Sequence, residues 1–153
     1  MAGYSGTPLP QKLGIKPGTT VAAINVPSNY RRLLGKLPSG VTFANRILAG
    51  SNFIHFFTRS RAELAKELNS LRKKIAENGV VWISWPKKSS GFPTDITEDV
   101  IRDIALPIGF VDIKVCAVDE TWSGLKLMIR KTNRKIPSLQ SSPRSARSRS
   151  RGG

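Results

Sequence analysis

Hydrophobic positions along the chain fall into short runs separated by polar, glycine-rich or proline-rich segments. "TTVAAINV" is apolar enough to form a buried strand over about residues 20–26, and "VTFA" at 41–44 suggests a second. "NFIHFFT" and "VVWISW" are near-continuous apolar runs, as expected of strands covered on both faces. Between them, Leu64, Leu68, Leu71 and Ile75 recur at helical spacing, with Ser60 and Glu63 placed as a capping box and Gly79 as a stop. In "ITEDVIRDIALPIG", Val100, Ile101, Ile104 and Ala105 make one apolar face, Glu98 and Asp99 suit the positive helix start, and Pro107 closes the helix. A shorter helix is expected through "NYRRLLGKL", with Ser28 as its cap and Gly35 near its end.

"FVDIKVCAV" and "LKLMIRK" form the last two strands, joined by the short "DETWSG" turn as a hairpin. Strands alternating with helices predict an α/β fold: a single Rossmann-like three-layer domain, its sheet mostly parallel, with a C-terminal antiparallel hairpin at or near one edge. Residues 1–18, dense in Gly and Pro, are expected to be an extended N-terminal arm, residues 19–132 the Rossmann-like domain, and residues 133–153 a disordered basic tail.

Charge sharpens that division. The chain of 153 residues carries a formal charge of +15, yet residues 1–120 hold 16 basic and all 10 acidic residues, +6 in all. The remaining excess includes Arg144, Arg147, Arg149 and Arg151, set among serines and glycines with nothing to bury. Such arginines can bind the phosphates of nucleic acid without regard to sequence; the alternative is a solubilising tail. No signal-peptide pattern and no run of 18 apolar residues is present, so a cytoplasmic protein without a membrane partner is expected. One cysteine and one histidine leave no internal disulfide and no usual zinc site, so no metal is expected.

Ligands of open α/β sheets bind outside the carboxyl ends of the strands. The loops that qualify are "NVPSNY", "TRSR", "PKKSSGFPTD" and "VDETWSG", which puts Lys87, Lys88, Ser89, Ser90, Asp119, Glu120 and Trp122 on one rim. Ammonium groups, hydroxyls, carboxylates and an indole suit a small phosphate- or carboxylate-bearing ligand, or a protein partner. The alternative is local structure, with the lysines balancing Asp95, Glu98 and Asp99 and Trp122 packing across the hairpin.

"KKSSG" is no phosphate loop, because its glycine follows the serines instead of preceding the lysine. Ser84, Ser89, Ser90, Ser123 and Cys116 are the candidate nucleophiles, but His55, the sole histidine, lies in mid-strand as a core residue would. Asp119 and Glu120, adjacent in sequence, are not an acid/base pair by spacing. These residues name no reaction and no cofactor.

The element order and the phrase "LGIKPGTTV" are similar to those of methyltransferases that use S-adenosylmethionine, although "NVPSNY" has no counterpart of that family's glycine-rich loop. Four blocks, "GYSGTPLPQKLGIKPG", "SRAELAKEL", "WISWPKKSSGFPTDITEDVIRDIALPIGFVD" and "KVCAVDETWSGLKL", resemble a family of small bacterial proteins catalogued as a domain of unknown function. The resemblance spans about residues 3–131 and marks "PKKSSG" and "DETWSG" as signatures, but it implies no activity. The reading that follows is a non-enzymatic binding module. Its alternatives are a methyltransferase-like enzyme with an altered cofactor pocket, or nucleic-acid association by the tail.

Overall fold

A computed structural model describes residues 7–131. The elements run α1 (Leu9–Leu13), β1 (Thr20–Ile24), α2 (Tyr30–Leu34), β2 (Thr42–Ala44), β3 (Phe53–Phe57), α3 (Arg61–Arg72), β4 (Val80–Pro86), α4 (Glu98–Ala105), β5 (Phe110–Ala117) and β6 (Trp122–Ile129). One sheet holds all six strands in the order β2-β1-β3-β4-β6-β5. The first four pair in parallel, and β6 runs antiparallel to both β4 and β5. The expected Rossmann-like α/β architecture is therefore present, with the antiparallel strand inserted beside the edge strand β5.

Alternation along β3 and β4 divides the core in two. Ile54, Phe56, Val81, Ile83 and Trp85 face α3 and α4, joined by Leu64, Leu68, Leu71 and Ile101. Phe53, Phe57 and Trp82 face the other way, against Leu9, Leu13, Tyr30 and Leu34 of the short helices. The crossover from β2 to β3 has no helix, and Ile47 from that loop packs on the α3/α4 layer.

Residues 9–13 differ from the expected extended arm. They form a helical turn, with Pro10 in its first turn and Gly14 ending it at φ 82°. Leu9, Leu13 and Ile15 are buried, and Trp82 Nε1 donates to the Leu13 carbonyl at 2.9 Å. Burial of those side chains outweighs the Gly/Pro composition because the α1/α2 face of the sheet would otherwise be open. Lys12 Nζ donates to Ala117 O at 2.6 Å and ties the segment to the end of β5.

Two further details depart from the sequence reading. Asn29 occupies the N-cap of α2, without a side-chain cap bond, in place of Ser28. Helix α3 stops at Arg72, well before Gly79, because the following turn bonds elsewhere: Gly50 N donates to Lys74 O and Ala76 N to Ser51 O. Gly79 is required by close approach, since a Cβ there would lie 2.6 Å from Ile75 Cγ1. The Arg144, Arg147, Arg149 and Arg151 tail lies outside the described residues. Among the described residues no helix is long and apolar enough to cross a membrane.

A polar chain crosses the α1/α2 core. Tyr30 Oη and His55 Nδ1 are 2.9 Å apart, and His55 Nε2 and Ser84 Oγ 2.8 Å apart, with His55 and Ser84 wholly buried. Each neutral tautomer satisfies both ring nitrogens, because the hydroxyl on either side can donate or accept. Burial lowers the His55 pKa from 6.5 to about 3. The unfolded chain then binds a proton that the fold refuses, so the stability His55 contributes is complete above its unfolded pKa and is lost as pH falls toward 3. Chemical denaturation between pH 7 and 4 should show stability falling with a slope approaching about 1.4 kcal/mol per pH unit from this group. His55→Gln, which cannot take up a proton, should lose that part of the slope.

Candidate functional site

The site begins where the parallel strands end. After Ile24 the chain turns through Asn25, whose φ of 56° is the sole positive value among the described non-glycine residues. Asn tolerates this left-handed region better than most side chains. The turn sends the β1–α2 connection outward and aims the Asn25 amide across the end of β3. There Asn25 Nδ2 donates to Glu63 Oε2 at 3.3 Å, while Thr58 Oγ1 donates to the other oxygen, Oε1. Both carboxylate oxygens are thus engaged, one from each strand end.

That arrangement alters the expected capping box. Ser60 Oγ does accept from Glu63 N at 3.2 Å, but Ser60 N bonds to Thr58 Oγ1, not to the Glu63 side chain. Thr58 takes over half of the box and frees Glu63 to face the strand ends. Asn25, Phe57, Thr58, Arg59, Glu63 and Trp122 line a cleft of about 260 Å³. Its back wall is aromatic, with Phe57 and Trp122 edge-to-face at 5.0 Å between centroids.

Strand order makes this location meaningful. From β1 the chain passes to β2 on one side, then crosses back to β3 on the other, so the gap between the β1 and β3 ends is the topological switch point. A wider groove of about 600 Å³ lies on the far side of the Asn25–Val26 turn. Val26, Pro27 and Phe43 supply apolar surface there, Ser28 and Asn45 supply polar groups, and the Arg31 guanidinium stands 4.1 Å over the Phe43 ring. The groove falls within the range of small-molecule sites, about 300–1,000 Å³.

The residues expected on the rim separate into several roles. Trp122 lines the cleft. Asp119 Oδ1 accepts from Thr121 N at 2.8 Å and Trp122 N at 2.7 Å, which shapes the β5–β6 turn. Ser90 Oγ donates to Lys87 O and accepts from Phe92 N within its own loop. Lys88, Ser89 and Glu120 are exposed, and Lys87 is half-buried. A backbone bond from Lys87 N to Thr121 O, 2.8 Å, joins the β4–α4 and β5–β6 loops. The acids offered as partners for the lysines are engaged elsewhere: Asp95 accepts from Arg61 N, and Glu98 and Asp99 pair with Arg102.

Ser84 and His55 have the spacing of a nucleophile and its base, but both are sealed from solvent, so the pair is structural. Cys116 is half-buried, and burial raises its thiol pKa. Asn25, Ser28, Thr58 and Arg59 lie in the loops "NVPSNY" and "TRSR" that the topology put at this edge, though none was singled out as a site residue; Glu63, expected only as a cap, and Arg31 and Asn45 were missed. The available signal was an Asn in the turn directly after the first strand, where the chain must reverse direction.

The fold has solved counterparts. A SAM-dependent methyltransferase from Aquifex aeolicus superposes with a TM-score of 0.56 over 78% of this chain and 86% of its own, at 15% identity. A protein from Sulfolobus solfataricus described as a type 11 methyltransferase gives 0.55 over 84% and 93%, at 14% identity. A protein of the NADB-Rossmann superfamily from Streptococcus agalactiae gives 0.52 over 88% and 73%, at 9% identity. At these identities the likeness establishes a Rossmann-like fold. No protein-family model and no curated protein matches the chain, so the likeness to a small bacterial family rests on its four quoted blocks.

The turn at Asn25 is testable by itself. Asn25→Gly should fold with near wild-type stability, because glycine adopts positive φ freely. Asn25→Ala should unfold at lower urea, by about 1 kcal/mol relative to the glycine variant.

Proposed function

We propose that the groove and cleft on either side of Asn25 form one ligand site for S-adenosylmethionine, and that the chain is a methyltransferase-like enzyme. The observation that carries this reading is the left-handed turn of Asn25 at the switch point, with the groove opening beside it. A glycine-rich loop serves such folds partly by supplying positive φ directly after the first strand. Asn25 supplies it without glycine.

The residues fit the parts of such a ligand. A flat base needs apolar surface, which Val26 and Pro27 offer; sugar hydroxyls need short polar groups, which Ser28 and Asn45 offer; a carboxylate needs a cation, which Arg31 offers. S-adenosylmethionine, when bound, supplies a methyl group activated by its sulfonium. Glu63, anchored by Thr58 and Asn25, can accept a hydrogen bond from the N–H or O–H of an acceptor substrate. Phe57 and Trp122 exclude water from one wall of the cleft.

A second reading has its own support. Lys87 and Lys88 form no ion pair among the described residues, and the acids near them in sequence are engaged elsewhere, which leaves their charge for a small anion on the rim.

Thermal denaturation of the full chain separates the two. S-adenosylmethionine or its demethylated product at about 100 times its dissociation constant should add about 2.7 kcal/mol, a rise of roughly 10 °C for a domain of this size. The rise should vanish in Ser28→Trp, which fills the groove, and persist in Lys87→Ala/Lys88→Ala. Silence with both compounds would overturn the methyltransferase-like reading. A shift with phosphate-bearing compounds, lost only in the double lysine variant, would place ligand binding on the rim.

A further inference from the structure

Charge is distributed unequally between the two faces of the sheet. The first acidic residue in the chain is Glu63, so everything that builds α1 and α2 is free of carboxylates. Lys12 and Lys16 belong to the α1 segment, and Arg31, Arg32 and Lys36 to α2 and its exit. On the other side of α1 the same face continues onto β5 and β6. Lys126 pairs with Trp82 in the β4–β6 register, and Lys114 lies directly opposite Lys126 in the β5–β6 register. Trp82 belongs to the α1/α2 core, which fixes the side on which both lysines stand.

The acids stand elsewhere. Asp112 is opposite Leu127 of the α3/α4 core and pairs with Arg102 at 2.8 Å, along with Glu98 and Asp99. Asp119 and Glu120 sit in the β5–β6 turn at the carboxyl edge. Glu63, Glu67, Asp95 and Asp103 lie on α3, α4 or the loop before α4, and Glu77 in the connection from α3 to β4.

Like charges directly opposite on neighbouring strands are destabilising. The Lys114–Lys126 pair nevertheless stands beside Lys16, and burial together with those two charges lowers the Lys126 pKa. A folded protein keeps such a cluster at a cost, which an anionic partner would offset. Seven cationic groups spread over two helices, the segments that leave them and two strands exceed what one small anion can contact. That number suits a partner that carries a repeated charge.

The kind of polymer follows from what the face lacks. Tyr30 and Trp82 are buried and Phe43 is half-buried beneath Arg31, so among the described residues no exposed aromatic on this face offers a stacking platform for unpaired bases. Backbone contact without base stacking is the mode of duplex binding. We propose that the α1/α2 face, with Lys16, Arg31, Arg32, Lys36, Lys114 and Lys126 as its contacts, docks the phosphate backbone of a nucleic-acid duplex without regard to sequence. The surface does not include the Asn25–Glu63 cleft; it shares Arg31 with the groove, and its other contacts stand whether or not the groove takes S-adenosylmethionine.

Fluorescence anisotropy of the full chain with a labelled RNA duplex and a labelled DNA duplex, over a salt series, tests this. The variant Lys16→Gln/Arg32→Gln/Lys36→Gln/Lys114→Gln should weaken binding roughly tenfold or more and flatten the log–log salt slope by about 3 to 4. A variant with the same charge change on the opposite side, Arg61→Gln/Lys66→Gln/Lys73→Gln/Lys74→Gln, should change either quantity far less. Equal losses in both would overturn the proposal in favour of net charge alone. So would binding lost only on replacing Arg144, Arg147, Arg149 and Arg151 by Ala. Polyglutamate competing as well as duplex would replace the nucleic acid with an acidic protein. Preference for one duplex identifies which of the two the face serves. Should the fourfold variant unfold, Lys16→Gln/Lys114→Gln provides the same comparison, with a proportionately smaller slope change. Lys114→Gln should also raise the melting temperature of the free protein, since it removes the cross-strand repulsion.

Discussion

The structure depends on covering both faces of β3 and β4. Each strand is apolar on its two sides, and a sheet with two apolar faces is stable only between two layers. Helices α3 and α4 supply one layer with regular amphipathic faces. The other is built from α1 and α2, five residues each, so most of its bulk comes from aromatic side chains: Tyr30, Phe53, Phe57 and Trp82. Short helices on that side would be marginal alone, and their order comes from tertiary contact. The Trp82 indole bond to Leu13 O, the Lys12 bond to Ala117 O and the Gly18 N bond to Ser39 O fix the N-terminal segment polar-group to polar-group. The same shortage of helix explains the buried Tyr30–His55–Ser84 chain, in which hydroxyls and imidazole satisfy each other where no backbone partner is available.

Two layers of different origin also carry different charge. The helices with capping acids, α3 and α4, concentrate carboxylates on their side, and Arg102 gathers three of them. The α1/α2 layer, built from a segment without acids, is left cationic. Between the two lies the carboxyl edge, where the Asn25 turn brings a β1 group to Glu63 of α3. The candidate site is therefore at a place where a residue from the basic N-terminal part of the chain meets an acid of the other layer.

Sequence patterning located the sheet well because β3, β4, α3 and α4 each carry a strong period or a strong apolar run. It failed where composition and burial disagreed. The segment around Leu9–Leu13 has the prolines and glycines of an arm, yet its leucines are buried, and nothing local in the sequence reveals the open sheet face that draws them in. Part of what the two rim loops carry serves the fold itself. Asp119 shapes a turn, Ser90 closes its own loop, and Gly124 makes room for the Trp82 ring, which a Cβ would approach at 3.2 Å. Glu63 was visible only as a helix cap, because its exchange of partners with Thr58 depends on the end of β3 lying beside the start of α3.

The absence of glycine after β1 bears on how a ligand would be held. A glycine-rich loop performs two tasks: it allows positive φ, and it lets the backbone approach the ligand closely. Asn25 accomplishes the first, but Pro27 and the side chain of Val26 stand in the way of the second. For a ligand in the groove, recognition would then fall to side chains, chiefly Arg31 and Asn45, instead of to backbone amides. Backbone contacts recognise phosphates and polar termini of many kinds, whereas a guanidinium and a carboxamide at fixed positions select by charge and geometry. A Rossmann-like chain without those glycines would have a narrower ligand range, and the residues that would set that range are exposed on α2 and at the end of β2, where they can change without disturbing either core.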